Sequence, residues 1–231
     1  MRNVLITGGS RGIGRACVER FSAIGDRVFF TYKKSREKAA ELSERTGAIA
    51  IQAGDTKLLK GTVEKCGMLD ILINNAGIAE QKMFQDITEN DWDEMFNTNV
   101  RDMFIITKLF YDDFIAQKRG RIINISSMWG IAGASCEVHY SASKAAVIGF
   151  TKALAKEAGP SGVTVNCIAP GVIDTDMNAM LGAETLKELA YETPVGRLGT
   201  PEDIVALAEF LCSDGASFIT GQVIGCDGGF I

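Results

Sequence analysis

Tyr140 and Lys144 are the residues of this sequence whose types and spacing most directly suggest chemistry. They lie in a segment rich in Ala and Ser that is predicted to be helical, so their side chains would share one face, one turn apart. A neighbouring ammonium favours a phenolate, which predicts a lowered pKa for Tyr140 and proton exchange near neutral pH. Ser127 follows the apolar run 121–126, where its hydroxyl can hydrogen-bond a carbonyl oxygen. Together the three side chains can polarise and protonate a carbonyl group.

An isolated Tyr-x-x-x-Lys is usually an ordinary helix face, so the surrounding elements decide its meaning. The apolar run 3–7 is followed by Gly8-Gly9-Ser10-Arg11-Gly12-Ile13-Gly14 and by helical spacing over 15–24. Such a turn lets backbone N–H groups and the helix N-terminus approach a pyrophosphate, because glycine has no side chain to keep the anion away. A merely structural tight turn is the alternative. The position directly after the first strand favours nucleotide binding.

The end of the second predicted strand, 27–32, bears on the kind of dinucleotide, because sites of this type read the adenosine ribose just beyond it. A carboxylate there would bind the free 2'-hydroxyl of NAD. The sequence instead has Tyr32-Lys33-Lys34-Ser35, and Arg11 in the glycine turn adds a second cation. Charge complementarity therefore favours NADPH. The alternative is that the lysines only solvate the start of the next helix.

Strands and helices alternate along the whole chain. Further strands are predicted at 48–53, 69–73, 121–126, 163–169 and 222–226, and helices at 35–45, 57–65, 88–114, 138–158 and 200–212. This order predicts a single-domain α/β Rossmann fold over 1–231, with a doubly wound, mostly parallel sheet of seven strands and helices on both faces. The span 176–199 shows no strand and little regular patterning, which fits a substrate lid, or else a surface excursion without a role.

Two polar positions stand out within this pattern. Asn74-Asn75-Ala76-Gly77 follows the fourth strand, where a parallel sheet opens onto a ligand, although a plain turn would look the same. Asn99 falls in the middle of the predicted helix 88–114 among apolar neighbours. Asn is unfavourable there unless its amide has a partner, so it is either a buried structural hydrogen bonder or part of a polar site.

Composition excludes several other classes of protein. The net charge of -5 and the pI near 5.1 argue against nucleic acid and anionic membranes as partners. The N-terminus begins directly with a strand-like run, so we expect a cytoplasmic protein. Six scattered cysteines without a Cys-x-x-Cys, and one histidine, predict neither a metal site nor a disulfide framework.

The chain resembles the short-chain dehydrogenase/reductase family over essentially its whole length. The resemblance is carried, in family order, by Thr7-Gly8-x-x-x-Gly12-x-Gly14, Asn74-Asn75-Ala76-Gly77, Asn99, Ser127, Tyr140-x-x-x-Lys144 and Pro170-Gly171. It is most similar to bacterial 3-oxoacyl-[acyl-carrier-protein] reductases. A subgroup that reduces a 5-aminopentanone modification on elongation factor P is similar too, through Ser126-Ser127-Met128-Trp129-Gly130 and Cys136-Glu137-Val138-His139. The motifs do not separate the two.

The resemblance implies a role for each matching residue. Tyr140 would protonate the alkoxide, Lys144 would lower the tyrosine pKa and hold the nicotinamide ribose, Ser127 would bind the carbonyl, and Asn99 would anchor a water in a proton relay. The NADPH contacts would come from Gly8, Ser10, Arg11, Gly12, Ile13, Gly14, Tyr32, Lys33, Asp55, Asn75, Ala76, Gly77, Tyr140, Lys144, Pro170, Gly171, Ile173 and Thr175. Members of the family are commonly tetramers paired through the helices that include Asn99 and Tyr140, so a homotetramer is expected.

One departure concerns adenine, for which the family usually has Asp-Val after the third strand. Here the residues are Gly54-Asp55 and the following helix is short, so the contact would be rebuilt around Asp55 or weakened.

For an acyl carrier protein substrate, Lys118, Arg119 and Arg121 are candidates for a basic docking patch. For the aminoketone of elongation factor P, Glu137 could pair with the substrate amine, unless it simply faces solvent.

An alternative function, of a different kind, is that of a non-catalytic dinucleotide sensor or scaffold on the same fold. The presence of both Tyr140 and Lys144 opposes it. The sequence therefore predicts an NADPH-dependent reduction of a ketone to a secondary alcohol.

Overall fold

Seven strands form one parallel sheet in the computed structural model, which describes residues 1–178 and 181–231. The strands are β1 (Asn3–Ile6), β2 (Arg27–Tyr32), β3 (Ile49–Gln52), β4 (Ile71–Asn74), β5 (Gly120–Ile125), β6 (Val163–Pro170) and β7 (Val223–Cys226). Their spatial order is β3-β2-β1-β4-β5-β6-β7, and every pairing is parallel. The predicted single-domain Rossmann fold is confirmed.

Helices cover both faces of this sheet. They are α1 (Gly12–Ala23), α2 (Arg36–Thr46), α3 (Thr56–Glu64), α4 (Glu89–Phe96), α5 (Asp102–Gln117), α6 (Trp129–Ala132), α7 (Val138–Ala158), α8 (Ala183–Glu192) and α9 (Pro201–Leu211). Phe21 and Phe30 are fully buried on the face of α1 and α9, and Phe110 and Phe114 on the face of α5. Each such ring contributes roughly 2–3 kcal/mol by burial, so both faces are firmly anchored.

The strand order creates a crevice beside β1. After β1 the chain moves outward to β2 and β3, then returns to the other side of β1 for β4. The connections after β1 and β4 therefore diverge, which leaves an opening at the carboxyl ends of these strands. The glycine turn and the Asn75-Ala76-Gly77 segment both lie there.

The structure corrects two predicted elements. The helix predicted over 88–114 is divided into α4 and α5 by a π-helical turn, Asn97–Arg101, which contains the buried Asn99. The predicted lid, 176–199, contains the helix α8, although little regular structure was expected there. Ala179 and Met180, within that span, lie outside the described residues.

In the part of the chain that the structure describes, no helix is both long enough and apolar enough to cross a membrane.

Candidate active site

The glycine turn leaves the N-terminus of α1 open to an anion. Gly8 and Gly12 have φ of 67° and 52°, which residues with side chains rarely adopt. At the start of α1, which is fully described, Arg11 provides no side-chain cap and the first turn has no acidic residue. The first N–H groups and the positive end of the helix dipole are thus available to a pyrophosphate. The turn therefore fits a dinucleotide cofactor.

The turn is held directly against the segment after β4. The Asn75 amide donates from Nδ2 to the carbonyl oxygens of Thr7 and Gly8, at 3.0 and 3.2 Å. The Ala76 N–H donates to Thr7 Oγ1 at 3.0 Å. A Cβ at Gly14 would lie 2.3 Å from the Gly8 oxygen, so only glycine allows this approach. Asn75 and Ala76 are thereby fixed beside the predicted pyrophosphate site.

Asn74, by contrast, faces the interior. Its Nδ2 donates to Thr107 Oγ1 at 2.9 Å and to Asn124 Oδ1 at 2.8 Å, between β4 and α5. The first residue of the Asn74-Asn75-Ala76-Gly77 segment therefore stabilises the sheet, while the next three line the crevice.

The remaining predicted cofactor residues lie around the turn. Ser10 is buried in it, Arg11 is exposed, and Ile13 packs partly against the core. The segment after β6, which begins at Pro170 and Gly171, brings Thr175 Cγ2 to 3.4 Å from the Cβ position of Gly12.

Ile173 is buried and forms a parallel bridge with Gly199. Tyr32 ends β2 and Lys33 follows it at the surface.

Asp55 caps a helix in the structure. As the N-cap of α3, its Oδ1 accepts a hydrogen bond from the Leu58 N–H at 2.9 Å. One carboxylate oxygen is therefore committed to the helix, and contact with adenine stays a prediction for this residue.

Tyr140 and Lys144 lie in the first two turns of α7, beside the end of β5. Lys144 Nζ donates to the Ile125 oxygen at 3.0 Å and lies 5.7 Å from the centroid of the Tyr140 ring. Ser126 Oγ donates to the Lys144 oxygen at 2.8 Å, which ties α7 to the strand. Ser127 lies next to the phenol, where its hydroxyl acts to lower the Tyr140 pKa. The three predicted groups thus converge.

The predicted lowering of the Tyr140 pKa is wrong for the free protein. Burial raises the pKa of Tyr140 to about 12, and the negative charge of Glu137 acts in the same direction. Burial also lowers the pKa of Lys144 to about 8. In a dry site each charged form loses its hydration, and burial is the largest cause of both shifts. At neutral pH Tyr140 therefore retains its proton and can act as an acid.

Asn99 acts as a buried structural hydrogen bonder. Its Oδ1 accepts from the Ile78 N–H at 2.8 Å, and its Nδ2 donates to the Ile78 oxygen at 2.9 Å and to Ser143 Oγ at 3.0 Å. These bonds explain how an amide is tolerated within a helical region. Its predicted part in a water relay stays a prediction.

Gly77 shows how closely the cofactor and catalytic groups are assembled. A Cβ on Gly77 would lie 3.1 Å from Asn99 Oδ1 and 3.3 Å from Lys144 Nζ. The segment predicted to border the cofactor therefore lies directly against Asn99 and α7, so the predicted cofactor-binding and catalytic residues adjoin.

Sequence reasoning missed Ser143 as a member of this site. Its Oγ donates to the Tyr140 carbonyl oxygen at 2.7 Å and accepts from Asn99. The available signal was its spacing, one helical turn after Tyr140 and within the Tyr-x-x-x-Lys motif.

The predicted basic docking patch does not border the site. Lys118 ends α5, and Arg119 and Arg121 lie at the start of β5, whereas Ser127 follows its end. Six residues of extended chain span about 20 Å, so these cations lie at the other end of β5 from Ser127. Arg119 is also paired with Asp70 at 2.5 Å. Their predicted part in docking a carrier protein stays a prediction.

Comparisons with known proteins agree with this geometry. A family model described as enoyl-(acyl carrier protein) reductase matches residues 8–231. The chain is 39% identical over 236 residues to the 3-oxoacyl-[acyl-carrier-protein] reductase of Aquifex aeolicus, covering 97% of this chain and 95% of that protein. It is 40% identical over 236 residues to the acetoacetyl-CoA reductase of Shinella zoogloeoides, covering 99% and 98%.

A solved structure resembles the whole chain. The crystal structure of the 3-oxoacyl-[acyl-carrier protein] reductase from Brucella melitensis superposes with a TM-score of 0.91 at 32% identity, covering 100% of this chain and 91% of that one. The sequence motifs, the converging side chains and these full-length matches lead to one conclusion. The chain belongs to the short-chain dehydrogenase/reductase family, whose members are nicotinamide-dependent oxidoreductases acting on ketones and alcohols.

Proposed function

We propose that the protein is an NADPH-dependent reductase of 3-oxoacyl thioesters carried on acyl carrier protein. The observation that carries this proposal is the convergence of Ser127, Tyr140 and Lys144 at the crevice bordered by Gly77. Similarity to curated reductases of 3-oxoacyl and acetoacetyl thioesters supports the substrate class. Lys33 and Arg11, both exposed and cationic, support NADPH over NADH.

The chain's own groups account for the fate of the carbonyl oxygen. Bound NADPH supplies a hydride to the carbonyl carbon. Ser127 Oγ donates a hydrogen bond to the carbonyl oxygen, and the Tyr140 hydroxyl gives its proton to that oxygen, so C=O becomes CH–OH. Lys144, fixed on the Ile125 oxygen, places its ammonium beside the phenolate that remains. The raised pKa of Tyr140 keeps the proton available for reduction.

The test is a substrate panel with matched variants. Wild type is assayed with acetoacetyl-carrier protein, acetoacetyl-CoA and a trans-2-enoyl thioester, each with NADPH and NADH. We expect turnover of the 3-oxo substrates and preference for NADPH. Tyr140→Phe should reduce the rate about a hundredfold to ten-thousandfold at unchanged NADPH affinity, while Tyr111→Phe on α5 should not. Undiminished turnover in Tyr140→Phe, or turnover of the enoyl substrate alone, would contradict the proposal.

A second candidate function is reduction of the aminoketone on elongation factor P, and Glu137 is the observation that favours it. The residue precedes α7, is half-buried, and burial raises its pKa. The expectation that it simply faces solvent is therefore incomplete. Its charge also acts on the Tyr140 phenol, so the two groups are close. A carboxylate there can pair with a substrate ammonium, whereas an acyl chain gains nothing from it.

Glu137→Gln separates the two functions. Glutamine keeps an oxygen to accept the 3.2 Å hydrogen bond from Gln81 Nε2, so the variant removes charge alone. If the aminoketone is the substrate, its kcat/KM should fall more than tenfold, by the loss of about 1.5–3 kcal/mol for a charged hydrogen bond. If the thioester is the substrate, its kcat/KM should stay within about twofold, since less than half a kcal/mol is at stake. Unchanged aminoketone activity would remove the second candidate.

We also propose that residues 176–199 form the substrate lid. In α8, which is fully described, no side chain is buried, so the helix is weakly held. Both ends of the span are joined at one place, because the Asp174 N–H donates to the Gly199 oxygen at 2.8 Å and the Gly199 N–H to the Val172 oxygen at 2.9 Å. Slower trypsin cleavage after Lys187 with substrate and NADPH would support closure, and an unchanged rate would oppose it.

A cytoplasmic homotetramer remains our expectation for the assembly. Trp92 on α4 is 39% exposed and Phe104 on α5 is 46% exposed, near the helices expected to pair. Large apolar side chains grouped at a surface are typical of protein interfaces. Light scattering should give four times the 24.8 kDa chain mass, and a monomer would contradict the expectation.

A further inference from the structure

The loop that follows Gly77 is hydrogen-bonded to the segment that begins α7. We call residues 80–83 the strap and residues 136–139 the entry segment. Three contacts join them in antiparallel order: Glu80 Oε2 to His139 Nε2 at 3.2 Å, Gln81 Nε2 to Glu137 Oε1 at 3.2 Å, and the Lys82 N–H to the Cys136 oxygen at 2.7 Å. None of these contacts has a part in the proton transfer described above, although they hold the residues just before Tyr140.

The helix that bears Tyr140 lacks the usual means of fixing its first turn. Glu137, its N-cap residue, forms no side-chain cap, although α7 and its surroundings are described in full. An uncapped first turn frays more readily than a capped one. Tyr140 is in that first turn, so an anchor for the turn would act on its position.

His139 provides such an anchor. The side chain is completely buried, and its Nε2 contacts Glu80 while its Nδ1 has no partner in the described chain. A carboxylate accepts and does not donate, so Nε2 carries the proton of this bond. Burying an imidazole with one unpaired nitrogen lowers the stability of the fold, and an apolar side chain would fill the same space without that cost. The bond to Glu80 accounts for a histidine at this position.

The other side of Tyr140 is held by the same loop. Ile78, two residues before the strap, is bound at both backbone groups by Asn99, which also donates to Ser143. Ser143 Oγ in turn donates to the Tyr140 carbonyl oxygen. The loop that leaves the cofactor crevice therefore braces the first turn of α7 before and after the catalytic tyrosine.

We propose that Glu80 and His139 are positioning residues, whose hydrogen bond anchors the uncapped first turn of α7 to the strap and fixes Tyr140 for proton transfer. Glu80 acts only through His139 and does not contact the reacting atoms. This inference rests on the proposed reductase activity, but its structural half can be measured without it.

Glu80→Ala is the main variant, because a half-exposed side chain can be removed without unfolding the protein. Loss of this bond should lower kcat for the 3-oxo substrate about tenfold, which corresponds to about 1.4 kcal/mol in the activation barrier, with KM for NADPH within about twofold. Hydrogen–deuterium exchange should accelerate in a peptide covering 138–144 and not in α9. Glu80→Gln, which keeps an acceptor, should stay near wild type. Glu44→Ala, exposed on α2, is the matched control.

Variants of His139 test whether a conservative replacement restores the rate and whether His139 and Glu80 act together. His139→Gln places an amide donor near the original Nε2 and should retain most of the rate that His139→Ala loses. The Glu80→Ala/His139→Ala double variant should be no slower than His139→Ala alone. Effects that multiply, wild-type kcat in Glu80→Ala, or a lowered kcat without faster exchange at 138–144 would each overturn the inference. A wild type inactive on every ketone would defeat the proposed function instead, while the exchange data would still decide the strap.

Discussion

Lys144→Met is expected to stabilise the free protein while abolishing its reductase activity. Lys144 is 5% exposed, and burial lowers its pKa to about 8 from an ordinary 10.5. A displacement of that size corresponds to roughly 3 kcal/mol spent on keeping the ammonium charged in the folded state. Loss of the hydrogen bond to the Ile125 oxygen lowers the stability of the variant by about 1 kcal/mol. The net gain in unfolding free energy at pH 7 is therefore about 2 kcal/mol.

The sign of the pH dependence follows from which state binds the proton more tightly. Below about pH 8 Lys144 is charged in both states, and the whole penalty is present. Between about pH 8 and 10.5 the folded protein releases the proton while the unfolded chain keeps it, so wild-type stability rises with pH. The advantage of Lys144→Met should therefore shrink over this interval.

Ionisation of Tyr140 sets the upper limit of the pH range in which the effect of Lys144 can be measured alone. Its pKa is raised to about 12 in the folded protein, so above about pH 10 the unfolded chain ionises first and the wild type loses stability. Measurements at pH 7 and pH 9.5 avoid this second transition.

The assay is urea denaturation followed by tryptophan fluorescence, without cofactor and at one protein concentration, since assembly would shift the midpoint. For a chain of 231 residues, 2 kcal/mol also corresponds to about 4–8 °C in Tm. Lys152→Met, at an exposed position of the same helix, should change stability by less than about 0.5 kcal/mol. A Lys144→Met protein no more stable than wild type at pH 7, or a gap undiminished at pH 9.5, would refute the reasoning.

Three further substitutions test other contacts of the site. Gly77→Ala places a methyl group 3.1 Å from Asn99 Oδ1, and should lower kcat/KM about tenfold or more, measured with saturating NADPH; full activity would show that the neighbours yield freely. Asn99→Ala leaves both backbone groups of Ile78 without their partners and should cost about 2 kcal/mol in urea denaturation, so a midpoint like that of wild type would contradict its structural role. Lys33→Ala should raise KM for NADPH about tenfold and leave KM for NADH nearly unchanged; equal effects on both would argue against a contact with the 2'-phosphate.

The sequence allowed the sheet to be predicted because each strand is an apolar run between turn residues. Parallel strands buried on both faces carry a strong local signal, and the positions of all seven agreed with the structure to within about two residues. The π-turn around Asn99 could not be predicted, because it depends on a partner, Ile78, that only the folded chain brings near. The helix α8 was missed because the small residues around it were given more weight than the helical spacing of its own apolar residues.

The candidate site was predicted as a set of residues but not in its electrostatics. Spacing placed Tyr140 and Lys144 on one helix face, and the structure brings them together with Ser127. Spacing says nothing of solvent, so it gave the wrong direction for the Tyr140 pKa. Spacing likewise does not give distances in the fold: Arg119 and Arg121 are near Ser127 in sequence but separated from it by the length of β5.

Burial of the site determines the protonation state of Tyr140 in the free protein. A Tyr140 pKa of about 12 and a Lys144 pKa of about 8 mean that water exclusion works against both charged forms before any substrate arrives. In that state the tyrosine is protonated, which is the form that reduction of a ketone consumes. The continuous segment 75–83 contacts the glycine turn through Asn75, Asn99 through Ile78 and His139 through Glu80, so we expect proton supply and cofactor binding to depend on each other.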